Sequence, residues 1–172
     1  NPYGMGDGWE PYPVSMRITN WIKFHIRTSR LSEKQLINLY EQAEFLSSNV
    51  EYHILGNHLF SNAKALIFAG SLFSGIPADK WFRQGCAILK EEISEQSLGD
   101  GGHFELSTMY HALYVQDILD LLNLFSVATI MPPPELVERL KKTVIKALDW
   151  LMVMTHPDGE IAFFNDACFE EA

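Results

Sequence analysis

Apolar residues recur every three or four positions along most of the chain, which is the spacing of amphipathic helices. Strand-like alternation is sparse, and residues 156–161 read as a turn into an extended stretch. The pattern predicts six helices, which run from Val14 to Arg27, from Ser32 to about Asn49, from about Asn57 to Ser74, from Pro77 to about Gln96, from Ser107 to about Phe125, and from Glu135 to Met154. The predicted fold class is therefore all-α.

Local signals support the ends of these helices. Pro11 and Pro13 precede the first helix, Ser32 and Gln35 have the spacing of a capping box, and Gly75 suits a helix C-terminus. The third helix is apolar nearly all round, so we expect it to be buried between other helices. Six helices joined by short loops pair into three antiparallel hairpins, which stack as bundles, solenoids or closed toroids.

Length and composition limit the possibilities further. A chain of 172 residues can bury one sizeable core, so we expect a single helical domain over 1–172. No apolar run reaches the roughly 20 residues that a membrane helix needs, so no membrane partner is expected. Cys86 and Cys168 are too few and too distant for a disulfide framework or a zinc site. No ligand spacing indicates a metal or another cofactor, and compartment stays undetermined.

The charge distribution is uneven. The formal net charge of −9 argues against binding to nucleic acid, whose phosphates require a basic surface. Residues 14–34 nevertheless contain five lysines and arginines and a single acidic residue, Glu33. This basic stretch is either a solvated helix face or a local attraction for an anionic ligand.

Reactive side chains gather at two predicted helix N-termini. Asn57 and His58 follow Gly56 at the start of the third helix. A second group runs from the loop before the fifth helix into its start, namely His103, Glu105, Tyr110 and His111. Free N–H groups and the positive end of the helix dipole favour anions at such places. The alternatives stay open: Asn57 as an N-cap, the histidines as ordinary buried residues, and Tyr110 as a core aromatic.

Four segments in order carry a resemblance to a known family. Residues 8–23 read GWEPYPVSMRITNWIK, residues 55–66 read LGNHLFSNAKAL, and residues 100–111 read DGGHFELSTMYH. The closing PDGEI at 157–161 and FND at 164–166 fit as well. Together these segments resemble the N-terminal helical domain of the heparinase II/III family, over nearly the whole chain.

The resemblance implies an incomplete α/α toroid followed by a β-sandwich domain, and cleavage of uronate polysaccharides such as heparan sulfate or alginate by β-elimination. Asn57 and His58 would neutralise the uronate carboxylate, and Tyr110 would act as the acid and, in some substrates, the base. The substrate-binding residues implied in the same way are Trp9, Arg17, Asn20, Trp21, His103, Glu105 and His111.

The family's other proton-transfer residue lies in the β-sandwich domain, which this sequence does not contain. Residues 1–172 are therefore expected to be part of a longer protein, to be inactive alone, and to have an anionic polysaccharide as partner. A periplasmic or secreted location is also implied by the resemblance. The net acidity favours a polymer with little sulfation over a heavily sulfated one.

Two rival functions remain at this stage. A toroid glycoside hydrolase needs two facing carboxylates, for which Asp100 and Glu105 are the candidates, and it leaves the Asn-His and Tyr-His pairs unexplained. A non-catalytic module would grip an anionic glycan in the same cleft without cutting it.

Overall fold

The computed structural model describes residues 3–54 and 56–168, so Leu55, the first residue of the segment 55–66, lies outside the described residues. Within these ranges a short 3-10 helix, Asp7–Trp9, precedes six α-helices, which are α1 (Pro11–Thr28), α2 (Glu33–Ser48), α3 (Gly56–Leu72), α4 (Ile76–Gln96), α5 (Thr108–Val127) and α6 (Pro134–Val153). All six predicted helices are confirmed. The described residues form no strands, only the isolated bridges Ser97–His103 and Thr155–Ile161.

The capping box at the start of α2 forms as predicted. The Ser32 backbone N–H donates to Gln35 Oε1 at 2.8 Å, and the Gln35 backbone N–H donates to Ser32 Oγ at 3.4 Å. Each side chain thus satisfies a backbone donor that the helix cannot pair internally. Pro11 and Pro13 differ slightly from the prediction, because they lie in the first turn of α1 rather than before it.

Contacts divide the chain into two compact units, Asn1–Leu89 and Lys90–Ala172, with the boundary inside α4. The prediction of one domain over 1–172 stays a prediction. In the first unit α3 contacts α1 and α2, and its residues from Leu59 to Gly70 are all buried, which confirms the expected burial. Gly70 and Gly85 bring α3 and α4 together: a Cβ at Gly85 would lie 2.6 Å from the Ala63 carbonyl oxygen.

The second unit is built on α5 and α6, which pack against each other. His111, near the start of α5, contacts Ala147 and Trp150 near the end of α6, so the two helices run antiparallel. The preceding glycine loop lies against α6. A Cβ at Gly101, whose φ is 99°, would fall 2.5 Å from the Lys146 carbonyl oxygen, which only glycine avoids.

Cys86 is buried, Cys168 is exposed, and both are free thiols. Burial raises the pKa of Cys86 to about 12, so this thiol stays protonated and acts as an apolar side chain. Among the described residues, no helix has the length and apolar character needed to cross a bilayer.

Candidate functional site

The first turn of α3 presents Asn57 and His58. Gly56, at a φ of 60°, begins the helix, and both following side chains are only half-buried. Position at a helix N-terminus places an amide and an imidazole where backbone N–H groups and the helix dipole already favour an anion. The structure therefore brings Asn57 and His58 together in one anion-favouring turn.

The ring of His58 is held on two sides. Its Nδ1 lies 3.3 Å from Glu51 Oε1, and its face stacks on Tyr12 with ring centroids 4.3 Å apart and an interplanar angle of 18°. The His58 side chain is still 34% exposed. The imidazole is thus fixed in orientation and remains accessible to a ligand.

Glu51 is anchored by a buried polar network that sequence reasoning missed. Asn62 Nδ2 donates to Glu51 Oε2 at 3.1 Å and to Ser15 Oγ at 3.1 Å, and the Glu51 backbone N–H donates to Asn62 Oδ1 at 2.9 Å. Glu51 is 4% exposed and Asn62 fully buried. One signal was present: Asn62 is a polar residue inside an almost wholly apolar helix, and such a residue needs a partner.

A cleft of about 290 Å³ opens in the same unit, beside α1 and α2. Its lining includes three residues that the resemblance marked as sugar contacts, Trp9, Arg17 and Trp21, together with Asn38, Glu41 and Gln42. Asn20 is exposed on α1 and is not among the residues that line the cleft. Two tryptophans and a guanidinium in one depression suit a sugar ring that carries an anionic group.

Arg17 is positioned by two hydrogen bonds to other residues that line this cleft. Its Nε donates to Gln42 Oε1 at 2.7 Å and its Nη2 to the Gly8 carbonyl oxygen at 2.8 Å. Burial lowers the pKa of Arg17, but a guanidinium remains charged at neutral pH. These contacts hold the charged guanidinium of Arg17 at the wall of the cleft.

In the second unit, His103 and His111 are buried and make the contacts of structural residues. They are 1% and 0% exposed. His111 Nδ1 accepts from the His103 backbone N–H at 3.1 Å, and His111 Nε2 donates to the Ala147 carbonyl at 2.8 Å, which fixes a neutral tautomer. Burial lowers the pKa of both rings, that of His103 to about 4 with a further contribution from His111. This burial favours a positioning role over the direct sugar contact that the resemblance implied.

His103 also ties the glycine loop to α4. Its Nε2 lies 2.9 Å from Gln96 Oε1, and Gln96 Nε2 donates to Glu92 Oε2 at 2.6 Å. Tyr114 packs against the His103 ring, with centroids 5.0 Å apart. The loop that leads into α5 is therefore held by a buried network rather than by its glycines alone.

Tyr110 and Glu105 lie at the start of α5 and just before it. Both are half-buried, and Tyr110 occupies the first turn of the helix. The Glu105 carbonyl accepts from Asn165 Nδ2 at 3.2 Å, so the FND segment contacts this loop. The described residues contain no cluster of three or more potential metal ligands from His, Cys, Asp and Glu.

Comparison with known proteins gives consistent matches. A family model described as the heparinase II/III N-terminus matches residues 5–172. Heparin-sulfate lyases of Bacteroides thetaiotaomicron and Pedobacter heparinus are 34% identical over 142 residues and 26% identical over 180 residues. These matches cover 77% and 97% of this chain but only 20% and 27% of the relatives.

Solved structures agree. A crystal structure of heparinase III matches with a TM-score of 0.72 and 29% identity, covering 87% of this chain and 24% of the other. A crystal structure of heparan sulfate lyase from Pedobacter heparinus, at 24% identity and a TM-score of 0.64, supports the fold alone. These likenesses confirm the predicted fold class, antiparallel helical hairpins of the incomplete α/α toroid type. The chain belongs to the heparinase II/III N-terminal family.

Proposed function

We propose that this chain is the helical substrate-binding part of a polysaccharide lyase that cleaves uronate polysaccharides by β-elimination. Family membership and relatives named heparin-sulfate lyases support this reading. The observation that carries it is the first turn of α3, where a partly exposed His58 is held by a buried carboxylate beside Asn57. A glycoside hydrolase acts through a pair of carboxylates, so Asn57 and His58 in this turn would have no catalytic role in it.

The residue types match the demands of the reaction. The C5 proton of a uronate is too weakly acidic to leave while the adjacent carboxylate keeps its full charge. Asn57 and His58 bind that carboxylate and stabilise the enolate-like charge that develops as C5 is deprotonated. The C4–O4 bond then breaks, a C4–C5 double bond forms, and Tyr110 donates a proton to the departing O4.

Other residues bind and position in this proposal. Trp9, Arg17 and Trp21 hold a neighbouring sugar in the cleft of the first unit, with Asn20 on the adjacent surface of α1. His103 and His111 fix the loop before α5, and Glu105 completes it. The base that removes the C5 proton in substrates where Tyr110 does not is supplied from outside these 172 residues.

The test is turnover by the natural full-length protein on a panel of uronate polysaccharides that differ in sulfation. The unsaturated uronate product absorbs in the ultraviolet and is measured directly. Tyr110→Phe is expected to abolish product formation and to leave glycan binding intact. Tyr40→Phe is the matched control, because the half-buried Tyr40 ring packs on Phe73 and Trp81 in the first unit, and this packing should survive loss of the hydroxyl.

The alternatives give different results. Glycan binding without turnover across the panel would favour the non-catalytic module. The isolated chain is expected to show no lyase activity, and strong product formation by it would contradict the assignment of a proton-transfer residue outside it.

A further inference from the structure

We propose that Glu51 is a positioning residue that holds His58 in the tautomer with hydrogen on Nδ1 and so turns Nε2 toward the substrate. The tautomer follows from the structure of the first unit alone. Its importance for turnover rests on the lyase function proposed above.

The Glu51 carboxylate belongs to a network whose members lie on α1, on α3 and in the loop between α2 and α3. The Glu51 backbone N–H needs an acceptor and finds Asn62 Oδ1, which fixes the orientation of the Asn62 amide. Asn62 Nδ2 must then face Glu51 Oε2 and Ser15 Oγ, as it does at 3.1 Å each. Glu51 Oε2 therefore accepts from Asn62, and Glu51 Oε1 faces His58 Nδ1.

A carboxylate only accepts hydrogen bonds, so Nδ1 of His58 must carry the hydrogen. Tyr12, stacked 4.3 Å from the ring, opposes rotation of the imidazole away from this bond. With Nδ1–H committed to Glu51, Nε2 is the one ring nitrogen left to interact with a substrate. At other functional sites a buried acid orients a histidine in the same way, by accepting a hydrogen bond from one ring nitrogen.

A contribution to the stability of the fold does not explain why Glu51 is buried. A buried carboxylate loses its hydration, and its hydrogen bonds recover that loss at best in part. An apolar residue would fill this site in a purely structural loop. The network around Glu51 therefore favours a role in directing His58.

The first experiment measures the tautomer in the 172-residue chain by nitrogen NMR of ¹⁵N-labelled histidine, with the His58 signals assigned from His58→Gln. Wild type is expected to show the Nδ1–H pattern. In Glu51→Gln the side-chain oxygen stays with Asn62 and the amide NH₂ turns to Nδ1, so the hydrogen is expected to move to Nε2. Glu44→Gln, an exposed change on α2, is the matched control and should leave the pattern unchanged.

Wild-type His58 in the Nε2–H tautomer would overturn the proposal, and that outcome does not depend on the folding of Glu51→Gln. An unchanged tautomer in a folded Glu51→Gln chain would overturn it too. Glu51→Asp keeps an acceptor and should retain the Nδ1–H pattern, which separates the effect of the acceptor from the effect of disturbing the loop.

The second experiment measures turnover in the full-length protein. Glu51→Gln is expected to lower kcat by about 10- to 100-fold with little change in KM, and Glu51→Asp to recover part of it. A shifted tautomer with unchanged kcat would overturn the positioning role. A wild-type protein without lyase activity would contradict the proposed function, while the tautomer result would stand.

Discussion

At the residue scale, the sequence indicated candidate catalytic side chains but not the buried residues that contact them. Asn57, His58 and Tyr110 became candidates because they stand in recognisable motifs. Glu51 was missed because an acidic residue in a short loop is normally solvated. Its burial depends on Asn62, eleven residues further on, and on Ser15 in another helix, which no local pattern reveals.

The two buried histidines of the second unit predict a pH-dependent stability. The pKa of His103 is lowered from 6.5 to about 4, chiefly by burial and then by His111. The unfolded chain therefore binds more protons within this window, so stability is complete above about pH 6.5 and falls as the pH drops toward 4. The loss is on the order of 3 kcal/mol, measured by urea unfolding across the window.

The variant His103→Gln is expected to flatten this pH dependence without abolishing it. Some dependence remains because burial also lowers the pKa of His111. Glu92 acts in the opposite direction, since burial raises its pKa and acid relieves that cost. His156→Gln, in the exposed tail turn, is the control and should keep the wild-type slope. An equal slope in His103→Gln and wild type would contradict the assignment.

Gly70 is predicted to be intolerant of even a methyl group. A Cβ there would lie 2.7 Å from the Ala78 carbonyl oxygen and from Phe82 Cβ, so α3 and α4 would have to separate. Gly70→Ala is expected to destabilise the chain by about 1–3 kcal/mol, measured by thermal or urea unfolding. Gly99→Ala is the control, because no atom of the described residues lies within 4 Å of its Cβ position, and it should be close to neutral.

At the scale of elements, nearly all of the helical structure was predictable, because helix periodicity and caps are local properties. The helix bounds agree within about three residues at every end. The packing was less predictable. The sequence indicated hairpins of successive helices, but α1 also packs extensively on α3, and a periodic pattern shows which face is buried without showing against what.

The capping box of α2 predicts a modest and local effect. Ser32→Ala removes the acceptor of the Gln35 backbone N–H at an exposed helix end. We expect a loss of about 1 kcal/mol in the free energy of unfolding, with the helical circular dichroism signal retained. Ser48→Ala at the other end of α2, where the hydroxyl donates to the Glu44 carbonyl, should cost clearly less.

At the scale of the whole molecule, net charge and exposed apolar surface oppose each other. The charge of −9 keeps copies of the chain apart at low ionic strength. On α6, however, Ile145, Leu148 and Met152 form an apolar stripe at helical spacing, and they are 61%, 42% and 71% exposed. Such an exposed stripe on a charged chain tends to associate once the charge is screened.

We therefore expect the isolated chain to self-associate increasingly as salt is added, measured by sedimentation equilibrium. The double change Ile145→Glu with Met152→Lys interrupts the stripe and leaves the net charge at −9, so it should keep the chain monomeric at the same salt concentration. The matched control swaps the exposed pair Glu138 and Lys141, which also preserves the net charge but leaves the stripe intact. Association that persists in the first variant, or disappears equally in the second, would show that this stripe is not the contact surface.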